Sequence, residues 1–247
     1  MRKPNYIRPG NFAINFNQGV LRSKEYDDIY FSTENGLEET RHVFLNGNNL
    51  STIFRKNRHF TIAELGFGTG LNFIATWQLF RKVRKKFSTL NYISIEGYPL
   101  ETNVIKKTHL MFPELSYFSK TLCAKLPPLW PGIHRINFAE DNIYLTLIYG
   151  EALEVLKGSE FKTNAWFFDG FNPTKNKSMW SFDLLKEVFR LTKSGGTFAT
   201  FSASSEVRKN LNKAGFFAKK AKGFSTKKEM TVGSKMGKEI DLECPRS

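Results

Sequence analysis

The clearest pattern of apolar and polar positions begins with an apolar run at residues 59–63. Glu64 follows this run, then glycines at alternate positions within 66–70, and then apolar residues at helical spacing from Leu71 onward. A short apolar run, closely spaced glycines and a 3.6-residue period predict a strand, a tight turn and a helix. Such a unit opens nucleotide-type α/β domains, so we expect the turn to face a ligand.

The rest of the chain repeats this alternation of apolar runs and helical periods. The alternation predicts an α/β fold of the Rossmann-like class, with a mostly parallel, doubly wound sheet and an antiparallel C-terminal strand. The predicted strands are 90–95, 133–138, 143–149, 165–168, 197–201, 216–221 and 229–232. The predicted helices are 71–80, 99–111, 152–156, 182–191 and 207–214, with a further helical or irregular stretch at 113–126.

Residues 1–55 precede this unit and show a different pattern. Short apolar patches between residues 11 and 31, broken by polar turns, predict strands and a hairpin. Apolar positions within 37–44 recur at helical spacing and predict a short helix, whereas 50–54 predicts a short strand. We therefore expect an N-terminal β/α elaboration packed on a main domain at 56–247, with one compact domain overall.

Net charge, cysteine content and the length of apolar runs limit what the protein is expected to bind and where it is expected to occur. A net charge of +14 over 247 residues favours a polyanion, nucleic acid before a membrane surface. Cys123 and Cys244 have no Cys or His partner at ligand spacing, so neither a metal site nor a disulfide framework is expected. No apolar run approaches the roughly 20 residues that span a bilayer, and no signal-peptide pattern follows the N-terminus. We therefore expect a cytoplasmic protein.

The glycine turn departs from the dinucleotide-binding fingerprint. Gly66, Gly68 and Gly70 are spaced one residue tighter than Gly-x-Gly-x-x-Gly, and Glu64 precedes them. A carboxylate beside the turn would repel a pyrophosphate but suits a ligand that carries an ammonium and a sulfonium. The pattern therefore favours S-adenosylmethionine over NAD, and an ordinary strand-to-helix turn is the alternative.

Further acids stand where predicted strands end. Glu96 ends the strand at 90–95, where a doubly wound fold places an acid against the ribose hydroxyls of a nucleotide. Glu151 follows the strand at 143–149, and we expect it either to contact the adenine amino group or to cap the next helix. Asp169 follows a buried strand, so we expect its carboxylate at the ligand crevice, with a capping role for the next turn as the alternative.

Two basic stretches are candidate phosphate-binding surfaces. Residues 81–86 hold five cations at the end of a predicted helix, where they complement the helix dipole. Residues 207–228 hold eight Lys or Arg and no acid, which favours an RNA-binding surface. The predicted RNA-binding patch is Lys219, Lys220, Lys222, Lys227 and Lys228.

Several of these stretches resemble one known family. The blocks are 27–32, 35–40, 66–73, 169–171 with Pro173, 175–176, 179–180 and 228–230. Together they are similar to the tRNA 5-methylaminomethyl-2-thiouridine methyltransferase family, the methyltransferase half of the bifunctional MnmC proteins, over essentially the whole chain. The chain departs from the family pattern at Asn172, Lys177 and Ser178, which we expect to reshape the acceptor pocket.

The resemblance implies a class I fold and methyl transfer from S-adenosylmethionine to the amine of 5-aminomethyl-2-thiouridine at the tRNA wobble position. Asp169, a catalytic residue that also lies in the cofactor pocket, would hold the amine and receive its proton. Phe171 and Pro173 would shape the acceptor slot, and Lys175 would approach the nucleotide. From the N-terminal elaboration, Tyr30 and Ser32 would close over the cofactor.

The resemblance also concerns partners. Bifunctional members carry an FAD-dependent oxidase domain that these 247 residues do not contain. The resemblance therefore implies either a stand-alone methyltransferase or an excised part of a bifunctional protein, with a separate oxidase or another enzyme supplying the amine. One alternative is an amino methyltransferase acting on another nucleic-acid or protein amine. A non-catalytic, cofactor-sensing RNA-binding protein is a second alternative, against which the carboxylate of Asp169 argues, and an NAD-dependent oxidoreductase is a third.

Overall fold

The computed structural model describes residues 12–15, 20–23, 27–30 and 35–236. Its strands are β1 (Phe12–Asn15), β2 (Val20–Ser23), β3 (Asp28–Ile29), β4 (His59–Leu65), β5 (Thr89–Glu96), β6 (Gly132–Phe138), β7 (Ile143–Tyr149), β8 (Thr163–Phe168), β9 (Thr192–Thr200), β10 (Phe216–Lys222) and β11 (Glu229–Lys235). β1 to β3 form a small antiparallel sheet, as predicted for the N-terminal region.

The other eight strands form one sheet in the order β10-β11-β9-β8-β4-β5-β7-β6. β9, β8, β4, β5 and β7 are parallel, whereas β6 and β11 run antiparallel to their neighbours. The mostly parallel sheet, its 133–149 hairpin and its antiparallel C-terminal strand are therefore confirmed. The carboxyl ends of the parallel strands share one edge, which is the position of ligand sites in doubly wound sheets.

Helices cover both faces of this sheet. They are α1 (Gly36–Thr40), a π-helix (Arg41–Asn46), α2 (Leu50–Lys56), α3 (Leu71–Val83), α4 (Thr102–His109), α5 (Ser116–Cys123), α6 (Ala152–Lys157), α7 (Phe182–Leu191) and α8 (Ser205–Lys213). Single 3₁₀ turns lie at Pro113–Leu115, Ala139–Asp141 and Ser178–Trp180. Across residues 12–15, 20–23, 27–30 and 35–236, no helix combines the length and the apolar character needed to cross a membrane.

Alternate residues of the central strands enter two separate cores. On β8, Phe167 packs in the core that contains α2 and α3, and its neighbour Phe168 packs in the core that contains α7 and α8. Side chains of successive strand residues point to opposite faces, so a strand covered on both sides is apolar throughout. This explains the uninterrupted apolar run that predicted β8.

The predicted strand at 50–54 is wrong, because these residues begin α2. Leu50 and Phe54 are both fully buried, and their spacing of four residues places them on one helix face. Phe54 makes edge contacts with Phe60 and Phe80, with ring centroids 5.4 and 5.1 Å away. The short apolar run thus follows a helical period, and the N-terminal helices share the core of the main sheet.

Candidate active site

A cavity of about 330 Å³ lies at the carboxyl ends of β4, β5 and β8. Its walls come from the glycine turn after β4, the ends of β5 and β8, α1, and the loop between β10 and β11. The predicted site residues that line it are Tyr30, Gly66, Gly68, Glu96, Glu151, Asp169, Phe171 and Lys227. Two chemical stretches separated by a hundred residues of sequence thus meet in one crevice.

The glycine turn brings its backbone close to neighbouring groups. Gly66, Gly68 and Gly70 have φ angles of +92°, +52° and +78°, which L side chains rarely adopt. A Cβ on Gly66 would lie 2.5 Å from the carbonyl oxygen of Asp169, so β4 and β8 approach too closely for any side chain there. Gly66 and Gly68 line the cavity, whereas Gly70 precedes α3 and is not among the described lining residues.

Glu96 organises the turn while facing the cavity. Its Oε2 accepts from the backbone N–H of Gly68 at 2.9 Å, and its Oε1 accepts from the N–H of Tyr98 at 2.7 Å. Burial raises the pKa of the Glu96 carboxyl, and the backbone N–H groups oppose that rise. The backbone N–H groups of Phe67 and Gly97 add to this effect, and Glu96 lines the cavity where the sequence predicts contact with ribose hydroxyls.

Glu64 lies behind the cavity. It is fully buried and is not among the described residues that line the cavity, so the predicted direct contact with a cationic ligand does not fit this position. Its Oε1 accepts from Asn72 Nδ2 at 3.0 Å and its Oε2 accepts from Ser94 Oγ at 2.7 Å. Burial, together with the nearby Asp169 carboxylate, raises the pKa of Glu64 to about 8.

Asp169 faces the cavity from the end of β8. Its Oδ2 accepts from Asn72 Nδ2 at 2.6 Å. Burial raises the pKa of Asp169 to about 7; the Asn72 bond and the Lys227 ammonium lower it, whereas the Glu39 and Glu96 carboxylates raise it. A pKa near neutrality suits a general base, because the group is available as carboxylate and still binds a proton appreciably.

Aromatic rings form one wall beside Asp169. Tyr30 and Phe171 meet edge to face with ring centroids 5.3 Å apart, and Tyr30 lies over Gly68. The indole N–H of the buried Trp180 donates to the carbonyl of Phe171 at 3.1 Å, which holds the loop after β8 in place. The two rings predicted for the cofactor and acceptor sites therefore share one surface.

Other predicted site residues lie outside this wall. Lys175 bonds the backbone carbonyl of Asp27 and pairs with its carboxylate, and neither Lys175 nor Pro173 is among the described lining residues. Ser32 lies outside the described residues. Glu151 lines the cavity and also caps α6, because its Oε2 accepts from the N–H of Glu154 at 3.0 Å, so both roles expected for it are compatible.

The basic loop at 223–228 lies at the same edge of the sheet as the cavity. β11 is antiparallel to both β9 and β10, so β10 runs in the direction of β9 and ends at the carboxyl edge. Lys227 lines the cavity and pairs with Glu39 of α1, with Nζ and Oε1 2.6 Å apart. His42 Nε2 donates to the carbonyl of Lys222 at 2.8 Å, so the π-helix also holds this loop.

The rest of the predicted patch lies on β10 and the adjoining loop. Lys220 pairs with Glu229 across the strand pair, with Nζ and Oε2 2.8 Å apart. Lys219 precedes it on β10, and Lys228 ends the loop. The other basic stretch, 81–86, lies at the end of α3, about 20 Å from the glycine turn along the helix axis.

Sequence reasoning missed the roles of Asn72, Thr40 and Glu39. Asn72 is a buried amide at the second position of α3, between apolar neighbours, and it bonds both Glu64 and Asp169. A polar residue within an otherwise apolar buried stretch was the available signal. Thr40 and Glu39 line the cavity from α1, a placement that depends on tertiary packing.

The charge of the lining tests the predicted cofactor. The described lining residues include five carboxylates and one ammonium: Asp28, Glu39, Glu96, Glu151, Asp169 and Lys227. This excess of carboxylates suits a sulfonium and an ammonium and opposes the pyrophosphate of NAD. The residues present therefore fit S-adenosylmethionine, and Glu96 and the glycine turn both line the cavity.

Comparisons with known proteins agree with this chemistry. The tRNA 5-methylaminomethyl-2-thiouridine biosynthesis bifunctional protein MnmC of Marinomonas sp. (strain MWYL1) is 44% identical over 218 residues, which cover 87% of this chain and 32% of that protein. The chain thus spans about a third of the length of this curated relative. The crystal structure of MnmC2 from Aquifex aeolicus has the same fold, with a TM-score of 0.72 at 24% identity, covering 87% of this chain and 66% of that one.

A family match supplies the assignment. Residues 113–236, half of the chain, match the family described as S-adenosyl-L-methionine-dependent methyltransferase. This stretch includes Asp169 and Lys227, whereas the glycine turn and Glu96 lie outside it. The fold, the acidic crevice and this match agree, and the chain belongs to the S-adenosylmethionine-dependent methyltransferase family, with S-adenosylmethionine as its cofactor.

Proposed function

We propose that the chain methylates the primary amine of 5-aminomethyl-2-thiouridine at the wobble position of tRNA, giving 5-methylaminomethyl-2-thiouridine. The observation that carries the proposal is that Asp169, the glycine turn and Lys227 line one cavity. One crevice thus offers a place for a methyl donor, a base for an amine, and a cation from a basic loop. The name of the 44% identical relative supports tRNA as the substrate.

Asp169 is proposed to hold the acceptor amine. An alkylammonium resembles Lys, with a pKa of about 10.4, so its deprotonation at neutral pH costs about 4–5 kcal/mol. Positioning of reactants contributes about 7–11 kcal/mol, so alignment by Asp169 outweighs its strength as a base. A carboxylate oxygen of Asp169 accepts a hydrogen bond from the nitrogen and then its proton, directly or through water.

The surrounding residues orient the two ligands. When bound, S-adenosylmethionine supplies a methyl carbon that leaves its sulfonium sulfur. Glu96 and the glycine turn bind its nucleoside, and Tyr30 and Phe171 exclude water from the acceptor side. Pro173 and Lys175 remain proposed contacts of the nucleotide at the outer end of the slot.

The proposal extends to partners and location. The bifunctional relative is about three times as long as the part that this chain matches. We propose that an FAD-dependent oxidase, fused or separate, supplies the aminomethyl group. Because the substrate is tRNA, we place the reaction in the cytoplasm.

Substitution of Asp169 tests the proposal directly. Asp169→Ala is expected to keep S-adenosylmethionine binding within about threefold, while the single-turnover rate on tRNA that lacks the modification falls at least about 100-fold. Mass spectrometry of the wobble nucleosides measures the product, and calorimetry measures cofactor binding. A near-normal rate in Asp169→Ala would refute the site.

Acceptor classes are compared in the same assay. Methylation of a protein or DNA amine in place of tRNA would favour the broader amino methyltransferase. Cofactor and tRNA binding without any transfer would favour a sensor protein.

A further inference from the structure

The amide of Asn72 connects two buried carboxylates. Its Nδ2 donates to Glu64 Oε1 at 3.0 Å and to Asp169 Oδ2 at 2.6 Å. Its Oδ1 accepts from the hydroxyl of Thr40 at 2.8 Å. Both N–H hydrogens of the amide are therefore used, and each one points to a different carboxylate.

This arrangement permits only one orientation of the amide. A rotation of 180° would place the amide oxygen against both carboxylates, which would replace two hydrogen bonds by repulsion between oxygens, whereas the Thr40 hydroxyl could still accept from the NH₂ group. Asn72 and Thr40 are about as buried as Glu64, with 5% and 4% of their surfaces exposed. A buried donor or acceptor left without a partner is costly, so the orientation is strongly held.

Glu64 is itself fixed from the far side. Its other oxygen accepts from Ser94 on β5, so the array runs from β5 through β4 and α3 to the end of β8. Thr40 adds α1 to the same array. Four hydrogen bonds among buried groups thus lead to one oxygen of Asp169, although Asp169 alone of these carboxylates faces the cavity.

We propose that Asn72, held by Glu64 and Thr40, is a positioning residue that occupies Asp169 Oδ2 and thereby directs Asp169 Oδ1 to the acceptor amine. The inference rests on the proposed function, because it assumes that Asp169 binds the amine. It assigns to Glu64 a role in support of the acceptor site in place of cofactor contact.

The array also affects proton binding by Asp169. The Asn72 bond lowers the pKa of Asp169 against the effect of burial, so its loss raises that pKa and the carboxylate forms at higher pH. The low-pH part of the pH–rate profile, where the rate rises with the carboxylate form of Asp169 (the acid limb), therefore moves to higher pH in Asn72→Ala. The titratable groups that face Asp169 are Glu39 and Lys227 at the mouth, Glu96 on β5, and Glu64 and Tyr92 behind it.

Asn72→Ala is compared with Asn48→Ala in a single-turnover assay on tRNA. Asn48 is a matched control, because it is also a buried amide with three hydrogen bonds, to Phe44, Trp166 and Thr197, and it is not among the described lining residues. Asn72→Ala is expected to lower the rate about 100-fold and to move the acid limb upward, with cofactor affinity kept within about threefold. Asn48→Ala is expected to lower stability while the rate and the pH profile stay close to those of the wild type.

Glu64 provides a second test that leaves Asn72 in place. Glu64→Gln keeps an oxygen that accepts from Asn72, whereas Glu64→Met removes it, so the methionine variant is expected to lose at least about tenfold more rate than the glutamine variant. Equal rates in these two variants, an unmoved acid limb in Asn72→Ala, or an equal loss of rate in Asn48→Ala would overturn the inference.

The Asp169→Ala variant separates failure of the inference from failure of the proposed function. If Asp169→Ala itself keeps its rate, the proposed function fails as well. If Asp169→Ala is inactive while Asn72→Ala has a normal rate, only the inference fails.

Discussion

At the scale of single residues, the acidity of Asp169 depends on two opposite charges at the cavity mouth. After burial and the Asn72 bond, the carboxylate of Glu39 raises the pKa of Asp169 and the ammonium of Lys227 lowers it. Glu39 and Lys227 also pair with each other. Replacing Glu39 removes only the effect that raises the pKa of Asp169, and replacing Lys227 removes only the effect that lowers it. Both substitutions break the same ion pair but change the charge near Asp169 in opposite directions, so they separate the effect of charge from the effect of losing the pair.

We expect substitutions of Glu39 and of Lys227 to move the pH–rate profile in opposite directions. Because only the carboxylate form of Asp169 accepts a proton, the rate rises with pH through the pKa of about 7. Glu39→Gln removes a negative neighbour and moves the acid limb to lower pH, while Lys227→Met removes a positive neighbour and moves it to higher pH. Single-turnover rates between about pH 5 and about pH 9 measure both movements, and limbs that moved together would contradict the assignment.

The sequence predicted residues at strand ends better than residues within strands. Glu96 and Asp169 follow apolar runs, and the carboxyl ends of parallel strands meet at one edge, so both were expected at the crevice. Glu64 lies one residue inside the end of β4, and its side chain points to the face covered by α3. Its burial depends on Asn72 and Ser94, which come from two other elements, so sequence order alone did not reveal it.

At the scale of elements, the two basic stretches differ in their structural partners and in their distance from the cavity. The basic loop between β10 and β11 lies beside the cavity, where Glu39 pairs with its Lys227 and His42 donates to the carbonyl of Lys222 at the end of β10. At the opposite end of the molecule, Arg81 and Arg84 pair with the buried Asp141. The stretch at 81–86 therefore has a structural partner and lies far from the acceptor slot.

Charge reversal tests which basic element binds tRNA. Reversal of Lys219, Lys220 and Lys222 to Glu is expected to weaken binding and to lower the slope of log affinity against log salt by up to about 2–3, since each phosphate contact contributes about 0.7–0.9. The matched control reverses Lys82, Lys85 and Lys86, which changes the net charge equally at the far end of α3. Equal effects of the two triple variants would mean that net charge, and not this patch, governs affinity.

Most elements followed from periodicity; the exceptions include residues 50–54, the π-helix and β9, which begins at Thr192 whereas the prediction began at 197. α7 has the predicted bounds, and β5, β7 and α8 differ from theirs by at most two residues. Residues 50–54 gave too few positions to separate a period of two from a period of 3.6, so the strand assignment was wrong. The π-helix at Arg41–Asn46 was expected as an ordinary helix, because apolar spacing does not distinguish the two.

At the scale of the whole molecule, the sign of the net charge is opposite to the sign of the charge that lines the cavity. The chain carries a net charge of +14, whereas the described lining of the cavity is mainly acidic. A polyanion is attracted to the outside, and cationic groups are attracted to the crevice. This division suits a polyanion that presents a cationic group, which is the character of the proposed substrate.

The buried carboxyls predict how stability depends on pH. Asp169 and Glu64 have pKa values raised to about 7 and about 8, so between about pH 4 and these values they bind protons in the folded state but lose them on unfolding. Their contribution to the free energy of unfolding therefore falls as pH rises through this window. Asp169→Asn is expected to be more stable than the wild type above pH 7, by up to about 4 kcal/mol, with little difference near about pH 4.

Urea unfolding of the two proteins at several pH values measures that difference. Ser178→Ala is a control for substitution near the site, since it removes no ionisable group. A difference between Asp169→Asn and the wild type that stayed constant with pH would show that Asp169 ionises alike in both states.

The contact between Gly66 and the carbonyl of Asp169 has a consequence for the reaction. Two neighbouring strands, separated by about 4.8 Å, carry the glycine turn and Asp169 on their adjacent ends. No side chain fits between these ends, and the ladder of backbone hydrogen bonds joins them, so they form a single rigid floor. For a donor bound at the glycine turn and an acceptor held by Asp169, the span between the two would thus be fixed by the spacing of the sheet.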